Sequence, residues 1–460
     1  MGSSVESRFE RYADVMVEAL GHADRATPAR WYLRGLMLPG GRKSVEPMAA
    51  RVHPENVRSA HQSMHHLVAD SDWSDTGLLA AVAREVVPVL GEAGQAPYFW
   101  ILDDTGFRKY GEHSVGVARQ YCGQLGKTEN CRVAVSLSLA SAAGSLPLDY
   151  RLYLPREWTE DKARCKRAGV PKEISFATKG EIAWGRIEAA LAAGIPRGTV
   201  LIDAGYGDEA ALRDRLSAHG LIYAVGIRPA TAVWWDGHRP AKAPAKADRG
   251  RRRSRVLRDE LHQPIGVREL AQALPSSAYR TLTWREGTNA ALRSRFARVR
   301  VRAAHADRAR EEEWLLIEWP KGEAEPTRYF LSTLPADISF KQLVATVKMR
   351  WRIERDYLEL KQELGLGHYE GRNWRGFHHH ASLCIAAYGF LMLERLRGSK
   401  KNSARLKTPP LPEGFLPRGA GSHAAAHPLV DRHHALSPGA RHRPTSFAMP
   451  VLRETLRASS

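Results

Sequence analysis

The sequence predicts an α/β core preceded by a helical domain and interrupted by a β-rich insertion. Three observations predict it. Between residues 96 and 227 short apolar runs alternate with helical segments, and two of those runs end in acids. Residues 1–95 instead repeat apolar positions at three and four, as in RFERYADVMVEAL and TGLLAAVAREVVPVL. Residues 228–338 hold alternating runs such as RFARVRVRAA and WLLIEWP with no strong helical period, which reads as a β-rich insertion.

Taken in order, PYFWILDDTGF is a buried strand ending in Asp103 and Asp104, followed by strands over 131–140 and 146–155. A helix over 179–194 stops at a glycine. GTVLIDAGYG is a further strand, ending in Asp203. A helix over 207–220 and a strand over 221–227 complete this part. One long helix is expected over 339–365 with Ser339 as N-cap, then an apolar helix over 378–397. Residues 399–460 carry eight Pro and five His with little periodicity and read as a largely disordered tail.

With 460 residues, 43% of them apolar, the chain has material for sizeable cores and is not wholly disordered. Sixty-nine Lys and Arg against 50 Asp and Glu give +19, which favours a polyanionic partner. There is no apolar run long enough for a membrane span and no signal-peptide pattern, so a cytoplasmic protein is expected. Four scattered cysteines (Cys122, Cys131, Cys165 and Cys384) fit buried thiols in a reducing compartment rather than a disulfide framework or zinc site. Arg30, Arg34, Arg42 and Lys43 in the helical domain fit either a solvated surface or a small DNA-binding domain. The run 239–258, with nine Arg or Lys and only Asp248 opposing them, is a solvated loop or one that closes on phosphates.

The chemistry-bearing residues are three carboxylates. On the 339–365 helix Arg350, Glu354 and Lys361 fall within about 40° of one another, with Tyr357 on the same side. Val344, Trp351 and Leu358 form an adjacent stripe expected to dock the helix. Glu354 with Arg350 could equally be a surface i, i+4 ion pair. If Glu354 joins Asp103 and Asp203, the set offers oxygen ligands for hard divalent cations, with Arg and Lys to grip phosphates nearby. Such a site supports two-metal phosphodiester chemistry.

These motifs together resemble the DDE transposases of bacterial insertion sequences. In the branch with a β insertion, the Glu helix reads Tyr-x2-Arg-x3-Glu-x6-Lys, which Arg350, Glu354 and Lys361 match while Val347 stands at the Tyr position. DDTGF and LIDAGYG match the two Asp motifs, and GVARQYCGQLGKTENCRVAVSLSL is similar to insertion sequence family seven-oh-one. The resemblance spans about residues 8–398. It implies an RNase H-like catalytic core holding two Mg²⁺ (Mn²⁺ as a substitute) on Asp103, Asp203 and Glu354. It also implies double-stranded transposon-end and target DNA as partners, a homodimer on that DNA, and action at the bacterial nucleoid. Arg350 and Lys361, then Arg372 and Arg375, would contact DNA. The branch's Asp-x-Ser/Thr pattern selects Asp103 over Asp104, because Thr105 follows it. Strand alternation allows only one of the two to face the metals.

A transposase-derived DNA-binding repressor and an RNase H-like nuclease without strand transfer are the competing functions. His378, His379 and His380 suit a helix start or a DNA-backbone contact better than metal ligation. Trp234 and Trp235 suit packing, and GQLGK lacks the phosphate-loop spacing. The tail departs from the resemblance: residues 422–450 show no basic helical ending, and the reading is that they are out of frame relative to similar chains.

Overall fold

A computed structural model describes residues 4–405, apart from 95–96, 124, 236–237, 239–240, 242–258, 260–261, 286–290 and 306–309. The basic run 239–258 therefore lies almost wholly outside the described residues, as does the tail from 406 on.

One sheet organises the chain. Its first five core strands are β1 (Phe99–Arg108), β3 (Lys127–Ala140), β4 (Ser145–Leu152), β5 (Thr199–Ile202) and β6 (Tyr223–Ile227), with a short β2 (Ala118–Cys122) alongside β3. β1 pairs antiparallel with β3, and β3 with β4, whereas β1, β5 and β6 run parallel. Three antiparallel strands followed by two parallel ones is the RNase H-like arrangement. Two of these strands differ from the sequence expectation. β3 begins four residues earlier than expected, and β1 continues past both acids to Arg108 because its pairing with β3 persists there. Asp103 thus sits mid-strand.

The insertion does not form a separate layer. Its strands β7 (Ala232–Trp234), β8 (Ile265–Gly266), β9 (Arg280–Arg285), β10 (Leu292–Ala303), β11 (Glu313–Glu318) and β12 (Arg328–Ser332) extend the same sheet, because β12 pairs antiparallel with β6. Trp234 is buried in it. The β-rich insertion also contains a helix, Val267–Ala273, that no strong helical period marks in the sequence. Seven residues give too few turns for a period to register, yet Val267, Leu270 and Ala271 bury one face.

Alternation along β1 divides the packing. Trp100 and Leu102 face one apolar layer, which also contains the five N-terminal helices α1–α5 (Val5 to Gly94), helix α8 (Lys179–Ala192) and the long α14 (Trp374–Arg405). Phe99 and Ile101 face the other layer, together with Leu201, Ala224 and the helices α12 (Phe340–Lys348) and α13 (Trp351–Gln362). The N-terminal helices share a continuous core with the sheet, and the four cations singled out in the sequence have partners within the protein. Arg30 pairs with Glu10 and Asp14, Arg34 with Glu6 and Glu10, and Arg42 with Glu370. Lys43 is buried and donates to the carbonyls of Gly35 and Leu38.

The single long helix expected over 339–365 is two helices. Ser339 does cap the first, in a reciprocal box with Gln342. At the junction the backbone tightens: Met349 N–H donates to Thr346 O (3.0 Å), Arg352 N–H to Met349 O (3.1 Å) and Ile353 N–H to Arg350 O (3.4 Å). Each residue in such a three-per-turn stretch turns about 20° further than in an α-helix. The buried face of α13 consequently moves to Ile353, Asp356 and Leu360, and Leu358, expected to dock, is 48% exposed. Val347, at the Tyr position of the motif, is a buried core residue.

Helix α14 starts at Trp374 and runs to Arg405, beyond both ends of the expected helix. Its histidines therefore lie inside it and are buried. His378 Nδ1 lies 2.9 Å from Trp374 O, His379 bridges the carbonyls of Val68 and Trp73, and His380 bridges Tyr32 Oη and Gly365 O. Burial lowers the pKa of His379 and of His380 to about 4 and keeps both in the core rather than on DNA; a neutral His379 donates to only one of its two neighbouring carbonyls. The four cysteines are buried free thiols.

Candidate active site

The parallel register of β1 with β5 ends at Leu102 opposite Ile202, so Asp103 and Asp203 are the next residues on neighbouring strands. Such strands run about 4.8 Å apart. Period-two alternation puts Asp103 on the face of Ile101 and Asp203 on that of Leu201, the face covered by α12 and α13. The backbone after Asp203 turns sharply into a short helix, Ala204–Gly207, which the Asp203 carboxylate caps by accepting from Gly205 N–H (3.0 Å). Two glycines permit that turn to lie against β6. A Cβ on Gly207 would stand 2.3 Å from Gly226 O, and one on Gly226 would stand 2.8 Å from Ala204 N.

Asp104 points the other way. It pairs with Lys179 at the start of α8 and lies 3.4 Å from the Tyr206 hydroxyl, which donates to it. The two adjacent acids thus belong to opposite layers, and Asp103 is the one beneath α13.

The junction between α12 and α13 delivers Arg350 to Asp103, with Nη1 2.8 Å from Oδ2. Its Nη2 lies 3.7 Å from Glu354 Oε1 one turn along. Burial alone disfavours the Arg350 charge, but Asp103, Asp203 and Glu354 together outweigh it and hold the guanidinium protonated more firmly than usual. Asp103 shows the converse. Burial, with the charges of Asp203 and Asp104, pushes its carboxyl up to about 7 despite the neighbouring Arg350. Lys361 Nζ donates to Gly106 O (2.9 Å) on the same strand and sits over the Phe107 ring, and burial lowers it to about 8. Arg350 and Lys361 thus converge on β1, whereas Glu354 lies against Arg350.

A family model described as DDE superfamily endonuclease matches residues 15–291, more than half of the chain. The chain belongs to that superfamily. Divalent-metal dependence goes with that superfamily. Asp103 and Asp203 fall within the matched stretch, whereas Glu354 lies beyond it and is placed by geometry alone. A probable transposase for insertion sequence element IS701 from Microchaete diplosiphon is 32% identical over 191 residues, 41% of this chain and 45% of that protein. The chain therefore spans less than half the length of this curated relative.

Asp103, Asp203 and Glu354 offer only oxygen, the donor set that suits Mg²⁺ or Mn²⁺. Among the described residues no three acid, His or Cys side chains are already gathered on one point. Two of the three acids are fixed on adjacent strands, while Glu354, 57% exposed, is turned to Arg350 on a long rotatable side chain. The set fits a cation provided Glu354 swings inward.

Some contributors escape a reading of residue types and spacing. Ser136 lies directly opposite Asp103 in the β1–β3 register and donates to its carbonyl oxygen (3.3 Å), so the hairpin register would have found it. Lys179 and Tyr206, which fix Asp104, carry no local signal. Tyr357 is half-buried near Ser136 and Asp103, and desolvation of its hydroxyl raises its pKa. Arg375 is engaged elsewhere, donating to Asp70 O (2.8 Å) and Asp72 (3.0 Å). Exposed Arg372 lines a cavity of about 1400 Å³ between the N-terminal helices and the sheet, away from the aspartate face, where Glu46, Glu112 and Asp161 offset Arg119 and Arg164.

Proposed function

We propose that this DDE endonuclease is a transposase that cleaves DNA at insertion-sequence ends and joins the freed 3′-hydroxyl to target DNA. The observation that carries this reading is the register that sets Asp103 beside Asp203 under the helix bearing Arg350 and Glu354. When bound by the three acids, two Mg²⁺ ions would activate the attacking hydroxyl and stabilise the leaving oxygen. Asp103 and Asp203 supply rigid carboxylates, and Glu354 closes the set from α13. Arg350 and Lys361 supply positive charge for the scissile phosphate and its developing negative charge. Asp104, neutralised by Lys179, stays in the opposite layer and fixes the strand.

DNA has a basic approach to the site. Exposed Arg285 stacks its guanidinium 3.5 Å from the Trp351 ring centre, beside Arg350, and β9 and β10 carry Arg280 and Arg293 on the exposed surface beyond it. Paired ends call for two copies, so a homodimer assembled on DNA, working at the bacterial nucleoid, completes the proposal. No helix among the described residues is long and apolar enough to cross a membrane.

The test uses a labelled duplex carrying the repeat that borders the coding sequence, incubated in Mg²⁺ with the wild type or Glu354→Gln. Cleaved and joined products from the wild type alone are expected. Cutting without joining would make the chain a nuclease. Equal binding with no cutting by either protein would make it a DNA-binding repressor.

A further inference from the structure

Arg350 occupies an unusual position: one guanidinium serves three acids from three different elements. It bonds Asp103 Oδ2 at 2.8 Å, lies 3.7 Å from Glu354 Oε1, and interacts electrostatically with Asp203 on the neighbouring strand. The Asp103 oxygen that it holds is one a metal would need, and the Glu354 carboxylate that must swing inward is turned toward it. We propose that Arg350 is a resident counter-cation that competes with the divalent metals for Asp103 and Glu354, so that metal and DNA bind cooperatively. This inference rests on the three-acid reading of the site given above.

The physical sequence uses only groups on the page. A dication entering between Asp103 and Asp203 repels the guanidinium and takes its hydrogen-bond acceptor. Displaced alone into water, Arg350 exchanges its charge-assisted bond for weaker bonds to water, which weakens metal binding to the free protein. A DNA phosphate at the site supplies that replacement, because a phosphate accepts the planar fork of an arginine as well as a carboxylate does. DNA therefore relieves the competition and metal binding tightens. By linkage the metal must tighten DNA binding by the same factor. Arg350 can make this exchange because it sits at the junction between two helices, half-buried with a path to the surface.

The neighbouring cations do not share this role. Lys361 is tied to the Gly106 carbonyl, and Lys179 is tied to Asp104 on the other layer. Arg350 is a positioning residue here: it decides when the acids are available.

The test is Mn²⁺ binding by titration calorimetry to the full chain, with and without a non-cleavable end duplex ending in a 3′-dideoxynucleotide. In the wild type the duplex should tighten Mn²⁺ binding by about tenfold or more, inside the roughly 5- to 150-fold range of coupled sites. Arg350→Gln should bind Mn²⁺ more tightly than the wild type without DNA, and the duplex should then add little. Arg350→Lys, which keeps the charge but lacks the planar fork, should fall between them and serves if the Gln variant does not fold. Unchanged or weaker Mn²⁺ binding by Arg350→Gln without DNA would overturn the proposal. Glu354→Gln separates the two readings. If it binds Mn²⁺ as the wild type does, the three-acid site itself fails; if it binds weakly while Arg350→Gln is not tightened, only the competition fails.

Discussion

Lys348 and Arg350 stand two residues apart at the α12–α13 junction, yet they belong to different kinds of place. Lys348 closes on Glu318 of the insertion strand β11 at 2.6 Å, one cation to one acid, both nearly inaccessible to solvent. Burial lowers the Lys348 pKa while Glu318 restores part of it. Arg350 faces Asp103, Asp203 and Glu354. The first is a matched pair that joins the end of α12 to the insertion half of the sheet. The second leaves negative charge in excess, which a folded protein retains at a cost and which metal cations can neutralise. Surplus of like charge, more than burial or bond length, distinguishes the functional cluster from the structural one.

The largest expected effects test the surplus. Asp103→Asn and Asp203→Asn should each abolish cleavage of an end duplex while leaving the far-ultraviolet circular dichroism unchanged. Asp104→Asn should retain joined product, because its partner is Lys179 in the other layer. Loss of all product from Asp104→Asn with Asp103→Asn still active would reverse the assignment of the two acids.

The matched pair should break differently. Lys348→Met leaves Glu318 buried without its partner and should cost about 3–5 kcal/mol in denaturant unfolding. The double variant with Glu318→Gln should recover much of that loss. A single-variant cost below about 1 kcal/mol would mean that the pair is solvated like a surface bridge.

Asp356 offers a smaller, pH-dependent effect on the same helix as Glu354. Its carboxylate accepts from Ser145 and from Tyr388 Oη (2.8 Å), yet burial dominates and lifts its pKa to about 6. An acid raised in the folded state contributes stability below its unfolded pKa near 4 and loses it as pH rises through about 6. Asp356→Asn should therefore flatten that decline and be about 2–3 kcal/mol more favourable at pH 8 than at pH 4, relative to the wild type. Parallel stability curves from pH 4 to 8 would refute the assignment.

The smallest effect concerns the element that presents the junction. Ser339→Ala removes the capping box of α12 and should lower stability by about 1 kcal/mol, with little change in cleavage at saturating DNA. A much larger fall in cleavage than in stability would show that the cap also sets the position of Arg350.

The core strands were legible because their apolar runs are long and bounded by turn residues, and the two Asp motifs could be read from strand, acid and glycine order. What alternation and register add is the pairing of Asp103 with Asp203 and the separation of Asp104, which depend on which strands become neighbours. The Glu helix shows the limit most clearly. Residue spacing places Arg350, Glu354 and Lys361 on one side of the helix; Arg350 and Lys361 reach β1, while Glu354 is turned to Arg350 and is 57% exposed. The tightened turn at 349–353 rotates the docking face, so the stripe through Trp351 and Leu358 fails. No residue there is a helix breaker that would announce the kink. His379 and His380 of α14 were equally opaque, since Val68, Trp73 and Tyr32 come from more than 300 positions earlier in the chain.

The most direct test of the charge-surplus account is thermal unfolding of the wild type, Asp103→Asn and Lys348→Met with increasing Mn²⁺. A ligand that binds only the folded state stabilises it by about 2.7 kcal/mol at a hundred times its Kd. The account predicts that Mn²⁺ raises the Tm of the wild type and of Lys348→Met by similar increments and leaves Asp103→Asn nearly unmoved. An equal rise in all three proteins would place the cation elsewhere and contradict the account.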